Sequence, residues 1–142
     1  MNRIVFAAMA AALTTPAIAS DQTDIAALVN NYNKDFAPKY CAPQSSIIDE
    51  FAPHSWMGPT ACADWLKAFD ANSKANAITD AVVTLGKQET LKVDGGRAYA
   101  VYAANYNFKQ KGKPVHEVGT WTFAFQKMAG TWQIAAWTWS AH

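Results

Sequence analysis

Apolar positions change their rhythm once along this chain. Between residues 23 and 36 they fall at Ile25, Leu28, Val29, Tyr32 and Phe36, three and four apart, which predicts a helix with a single apolar face. Asp21 or Thr23 is placed to cap its start, and Pro38 follows its end. From Pro59 the positions Cys62, Trp65, Leu66 and Phe69 repeat the pattern, with proline suited to a first helical turn. Ser73–Ile78 reads as another short helical turn, and Ser46–Trp56 as an added strand between the helices. Beyond Thr79 the spacing shortens to two. Four strands follow at 81–93, 97–109, 115–127 and 132–140, separated by Asp94-Gly95-Gly96, Lys111-Gly112-Lys113-Pro114 and Ala129-Gly130.

These strands carry apolar residues on both faces. In the last, strict alternation puts Trp132, Ile134 and Ala136 on one side and Ala135, Trp137 and Trp139 on the other. A sheet with one wet face would alternate apolar with polar. Both faces therefore need cover, one from the helices and the other from a partner subunit or from further folding of the sheet. The expectation is an α+β fold, N-terminal helices packed in a curved antiparallel sheet, and a homodimer formed through the second face.

Composition narrows the class. The chain has 142 residues, 16% of them charged and 13% aromatic, with a formal net charge of +1. That is one domain's length with a high aromatic load, unlike a disordered chain. Twelve basic residues against 11 acidic ones leave no excess for a nucleic-acid partner. The amino end joins Arg3 to the apolar run Ile4–Leu13 and then to Ala17-Ile18-Ala19, the pattern of a secretory signal peptide cleaved after Ala19, or alternatively after Ser20. The run is short of the ~20 residues that span a bilayer. The expected product is therefore residues 20–142 as one domain, exported to the periplasm or secreted, with no stable membrane insertion.

The two cysteines, Cys41 and Cys62, lie in the exported part, where an oxidising compartment favours pairing over two buried thiols. A bridge of this span adds roughly 3 kcal/mol by loop entropy.

The strand Gly130-Thr131-Trp132-Gln133-Ile134-Ala135-Ala136-Trp137-Thr138-Trp139-Ser140 and the preceding Gly119-Thr120-Trp121-Thr122-Phe123, set after two helices, resemble the SnoaL-like branch of the nuclear transport factor 2-like superfamily. The resemblance runs from about Thr23 to Ser140. It implies a cone in which a bent sheet wraps around helices and leaves an apolar pocket. Its members include isomerases, dehydratases, cyclases, epoxide hydrolases and non-catalytic binding or dimerisation modules, so it specifies a fold and not a reaction. Relatives often place histidines where this chain has Ala136 and Thr138, a departure that argues against a copy of the cyclase site.

Candidate chemistry concentrates in Asp49-Glu50-Phe51-Ala52-Pro53-His54-Ser55-Trp56. An apolar wall would raise Asp49 or Glu50 toward the pKa of a general base, with His54 as acid or orienting partner. The competing reading is a solvated loop. Trp56, Tyr102, Asn105, His116 and Thr138 are the candidate pocket residues, against core packing for Tyr102 and a surface position for His116. Tyr106 and Phe108 share a strand face with Tyr102, and for Tyr106 packing is favoured.

No histidine pair has metal-ligand spacing, so no metal and no cofactor is expected. Nucleophile elbows, phosphate-binding glycine loops, dinucleotide fingerprints and Cys-x-x-Cys are absent. The leading expectation is a binder of a small hydrophobic molecule. The alternatives are an acid–base enzyme acting on a small ring compound and an interaction module.

Overall fold

A computed structural model describes residues 15–142. The apolar run of the expected signal peptide lies outside the described residues. Helix α1 (Thr15–Asp35) is followed by a single 3-10 turn (Pro38–Tyr40), the strands β1 (Cys41–Ile48) and β2 (Ser55–Gly58), helix α2 (Ala61–Ala75), and the long strands β3 (Ile78–Asp94), β4 (Arg97–Gln110), β5 (Lys113–Met128) and β6 (Thr131–Ala141). Two helices pack against one curved, unclosed six-stranded sheet, the α+β architecture expected. No helix among the described residues is long and apolar enough to cross a membrane.

The sheet order is β2-β1-β6-β5-β4-β3. β3 to β6 form the antiparallel meander that the turn residues mark. Lys111-Gly112 and Ala129-Gly130 each hold two consecutive residues at positive φ, as tight hairpin turns matched to strand twist require. The region 46–56 is a hairpin of two strands and not one, and β1 lies parallel to β6. Helix α2 carries the chain from the β2 edge to the opposite edge, where β3 starts, and the meander then comes back to set β6, the last strand, beside β1, the first.

Three local readings change. Asp21 is not a cap, because α1 begins upstream; its carboxylate accepts hydrogen bonds from Lys127 Nζ at 2.6 Å and Trp132 Nε1 at 2.9 Å, pinning α1 to the β5–β6 turn. Thr23 donates its hydroxyl to the Ala19 carbonyl inside the same helix. Residues 73–78 make no separate helical turn: α2 ends at Ala75, Ala77 takes a left-handed φ of 52°, and β3 has begun by Ile78.

The faces of β6 also differ from strict alternation. Ala124 pairs with Ala136 and Phe125 with Ile134, so Ala135 is an extra residue on β6. Such a bulge reverses which parity faces inward. Trp132 and Ile134 before it, and Trp137 and Trp139 after it, all face the helices, as their partners Phe125, Phe123 and Trp121 show. Ala136 and Thr138 turn to the convex side.

The core sits between α1, α2 and the concave face. Ile25, Val29 and Tyr32 of α1 are fully buried against Phe123, Phe125 and Ile134. Tyr32 accepts a hydrogen bond from Trp137 Nε1 at 2.9 Å, which satisfies a polar pair deep in an aromatic core. Cys41 and Cys62 are bonded, joining the first residue of β1 to the first turn of α2.

Gly119 sets the fit between β5 and β6. A Cβ there would lie 2.5 Å from Trp139 Cζ2 and 2.9 Å from the Ser140 carbonyl oxygen. The indole of Trp139 thus lies across the backbone of the neighbouring strand. Gly119→Ala is expected to displace that ring and cost about 1–3 kcal/mol of stability, read as a lower urea midpoint at unchanged m-value.

Candidate functional site

The β1–β2 loop, the start of α2 and the far half of the sheet leave a cavity of about 240 Å³. Its walls are mainly aromatic. Phe36 comes from the end of α1, Phe51 from the loop, Trp65 and Phe69 from α2, Tyr106 and Phe108 from β4, Trp121 from β5, and Trp137 and Trp139 from β6. The rings brace one another: Trp65 meets Trp137 edge-on with centroids 4.8 Å apart and lies stacked against Phe69 at 5.3 Å. Such contacts hold wall residues in fixed rotamers.

Into this wall the chain sets three carboxylates, Asp49, Glu50 and Glu117. Among the described residues, no lysine, arginine or histidine lines it. Asp49 follows the last residue of β1. Its Oδ2 accepts Trp65 Nε1 at 2.8 Å and its Oδ1 accepts the Glu50 amide at 2.7 Å. Burial nonetheless raises its pKa above the usual aspartate range, against the lowering effect of those two bonds. Glu50 is exposed at the rim and accepts the Ala141 backbone amide at 2.6 Å. Glu117 reaches the wall from β5. Burial raises its pKa first, and the negative charges of Glu50 and Asp49 add to the shift.

The fourth polar group is the Tyr106 hydroxyl, which is buried without a hydrogen-bond partner. Burial pushes its pKa up to about 12, helped by the charges of Glu117 and Asp49. The phenol is therefore a proton donor facing acids at neutral pH. The indole N–H of Trp121, another wall residue, is likewise buried and unpartnered. An unpaired polar atom in a protein interior is uncommon. Two of them belong to residues of this one cavity wall, each with its polar atom shut off from water. The acids do not form a set able to hold a metal ion, and no such set occurs among the described residues.

Of the residues singled out in the sequence, Asp49 and Glu50 line the cavity. His54 does not: it is exposed at the tip of the same loop, with Nδ1 3.3 Å from the Asp49 carbonyl oxygen. Trp56 is buried behind Phe51, their ring centroids 5.2 Å apart. Tyr102 points to the concave side but lies in the packed core, donating its hydroxyl to Gln88 Oε1 at 3.0 Å. Asn105, His116 and Thr138 are on the convex side of the sheet, since each alternates with inward-facing neighbours. His116 there meets the Asn107 side chain at 2.7 Å.

Glu117, Tyr106 and the aromatic wall were missed as a site. The signal for Glu117 was present, because 117, 119, 121, 123 and 125 share one face of β5 and it is the charged member of an apolar series. Tyr106 holds the same position on β4, paired with Glu117 across the strands.

No protein-family model matches the chain, and no curated protein sequence matches it either. Solved structures do. An NTF2-like protein with a cystatin-like fold from Novosphingobium aromaticivorans superposes with a TM-score of 0.72 at 16% identity, over 94% of this chain and 92% of that one. A nuclear transport factor 2-like superfamily protein from Salmonella enterica gives 0.71 at 16% identity, over 87% and 92%. The hexachlorocyclohexane dehydrochlorinase LinA-type3 from Novosphingobium barchaimii gives 0.73 at 9% identity, over 88% of each chain. At these identities the likeness is one of fold.

Glu117→Gln tests the cavity's electrostatics. A carboxyl whose pKa is raised on folding binds protons more readily in the native state, so its charge costs stability as pH rises through and above the ordinary glutamate range. The variant is expected to melt higher than the parent at pH 7, with the gain shrinking toward pH 4. A gain equal at both values rejects the assignment.

Proposed function

We propose that this nuclear transport factor 2-like cone binds a small hydrophobic molecule in the cavity between α2 and the sheet. The observation that carries the reading is a mainly aromatic cavity wall into which a few polar side chains, Asp49, Glu50, Glu117 and Tyr106, are set. Small-molecule sites are built in this way, from an apolar lining with a few convergent polar groups. A neighbour of the same fold is a hexachlorocyclohexane dehydrochlorinase, which supports a compact apolar ring compound as the class of occupant such a cone admits. The Gly130-x-Trp132-x-Ile134 strand supports placing the chain in the SnoaL-like branch.

Export to the periplasm, with the extracellular medium as the alternative, belongs to the same proposal. The Cys41–Cys62 bond and the amino-terminal charge and hydropathy pattern support it. So does a homodimer through the convex sheet face, where Ile48, Val82, Tyr99 and Val118 are exposed. Native mass spectrometry of protein taken gently from the exporting cell is expected to show a dimer carrying an adduct of small-molecule mass. Val83→Phe, which fills the cavity from β3, should remove the adduct and keep the dimer. Bare protein, with no tryptophan fluorescence response to any apolar ring compound, sinks the binding reading.

A second reading, acid–base catalysis on the bound molecule, is favoured by one observation. Asp49 and Glu117 are acids raised toward neutrality by burial, beside a phenol that keeps its proton. Asp49 or Glu117 would take a proton and Tyr106 would supply one, in place of His54. Asp49→Asn or Glu117→Gln is then expected to lower kcat by about 10²–10⁴-fold, with the affinity for a neutral ligand little changed. Unchanged turnover in both variants rejects catalysis by these acids.

A further inference from the structure

The cavity combines two features that a neutral apolar ligand leaves unused. Its three acidic side chains share one mainly aromatic wall, near enough that the charges of Glu50 and Asp49 act on Glu117, and among the described residues no basic side chain lines it to balance them. Among the described residues, none of the ion pairs involves Asp49, Glu50 or Glu117. Asp49 and Glu50 have protein hydrogen bonds, whereas Glu117 has none. The Tyr106 hydroxyl, unpartnered and buried, lies beside the acids and can accept a bond as well as donate one.

We propose that the occupant is an organic ammonium ion, an amine or quaternary ammonium with an apolar body, seated on the aromatic faces with its charge against Glu117. The inference rests on the reading of the cavity as a ligand site and names the ligand's chemical class. Aromatic faces attract cations through their negative π-density, most strongly where water is excluded. Trp65, Trp121, Trp137 and Trp139 all line the cavity, and Trp139 keeps the most open surface. A bare metal ion fits less well, since the acids do not converge as a coordination set. Size points the same way. At about 240 Å³ the cavity is smaller than a drug-sized site, so the body is a single ring or a short branched chain.

The test compares two probes of nearly equal shape by tryptophan fluorescence at pH 7. Phenyltrimethylammonium carries the charge, and tert-butylbenzene replaces its nitrogen with carbon. The cation is expected to bind at least tenfold more tightly. That preference should fall severalfold in Glu117→Gln, with the affinity for tert-butylbenzene unchanged. Should the variant fail to fold, the parent at pH 4 gives the same readout, because protonating the acids should erase the preference. Equal or tighter binding of the neutral probe overturns the ammonium proposal and leaves the apolar site standing. A preference that survives both the substitution and the acid shift overturns the assignment to the carboxylates. Binding of neither probe rejects the ligand site itself, and this inference with it.

Discussion

The extra residue at Ala135 decides what the concave face contains. β6 enters the sheet with Trp132 and Ile134 inward, and an unbroken strand would then turn Trp137 and Trp139 to the convex side. The bulge reverses the parity, so all four side chains serve one core. Trp137 can then donate to Tyr32 of α1, and Trp139 can lie across Gly119. Both rings also form the cavity wall. The packing of α1 and the shape of the site thus depend on the same irregularity, and neither survives a regular β6.

The second constraint is electrostatic. Asp49 is buried enough to be pushed toward its neutral form, yet two donors hold its carboxylate in place. One of them, the Trp65 indole, is itself part of the wall and packs against Trp137. A hydrogen bond therefore ties the loop's acid to the ring that faces it, and fixes the charge relative to the aromatic surface. Such coupling distinguishes a preorganised site from acids that happen to border a hole.

Most of the architecture was readable because it follows from periodicity. Two amphipathic helices, four strands and their turns appear as changes of spacing and as glycine at positions of positive φ. The parallel pairing of β1 with β6 was not readable, since no local pattern says which edge a returning strand joins. The faces of β6 were misread because one inserted residue changes parity without leaving a trace in composition. Asp49 and Glu50 follow from the expectation of an apolar wall beside the loop, and both line the cavity, Asp49 part-buried and Glu50 exposed at the rim. His54 failed because the loop folds back on itself, with His54 N bonded to the Phe51 carbonyl and the ring left in solvent. Glu117 was within reach of the same alternation argument that placed Trp121. Its neighbour His116, the more conspicuous side chain of the pair, is turned outward by the strand.

One hydrogen bond near the chain's last residue has a practical side. The Ala141 amide donates to Glu50, and the His142 amide to the Val118 carbonyl, next to Glu117 in β5. The carboxyl end is thereby stitched into the rim on which two of the three acids sit. Anything fused beyond His142, whether an affinity tag or a fluorescent protein, pulls on that seam. A fusion on the amino-terminal side leaves the rim untouched, and is the sounder choice for any handle on this protein.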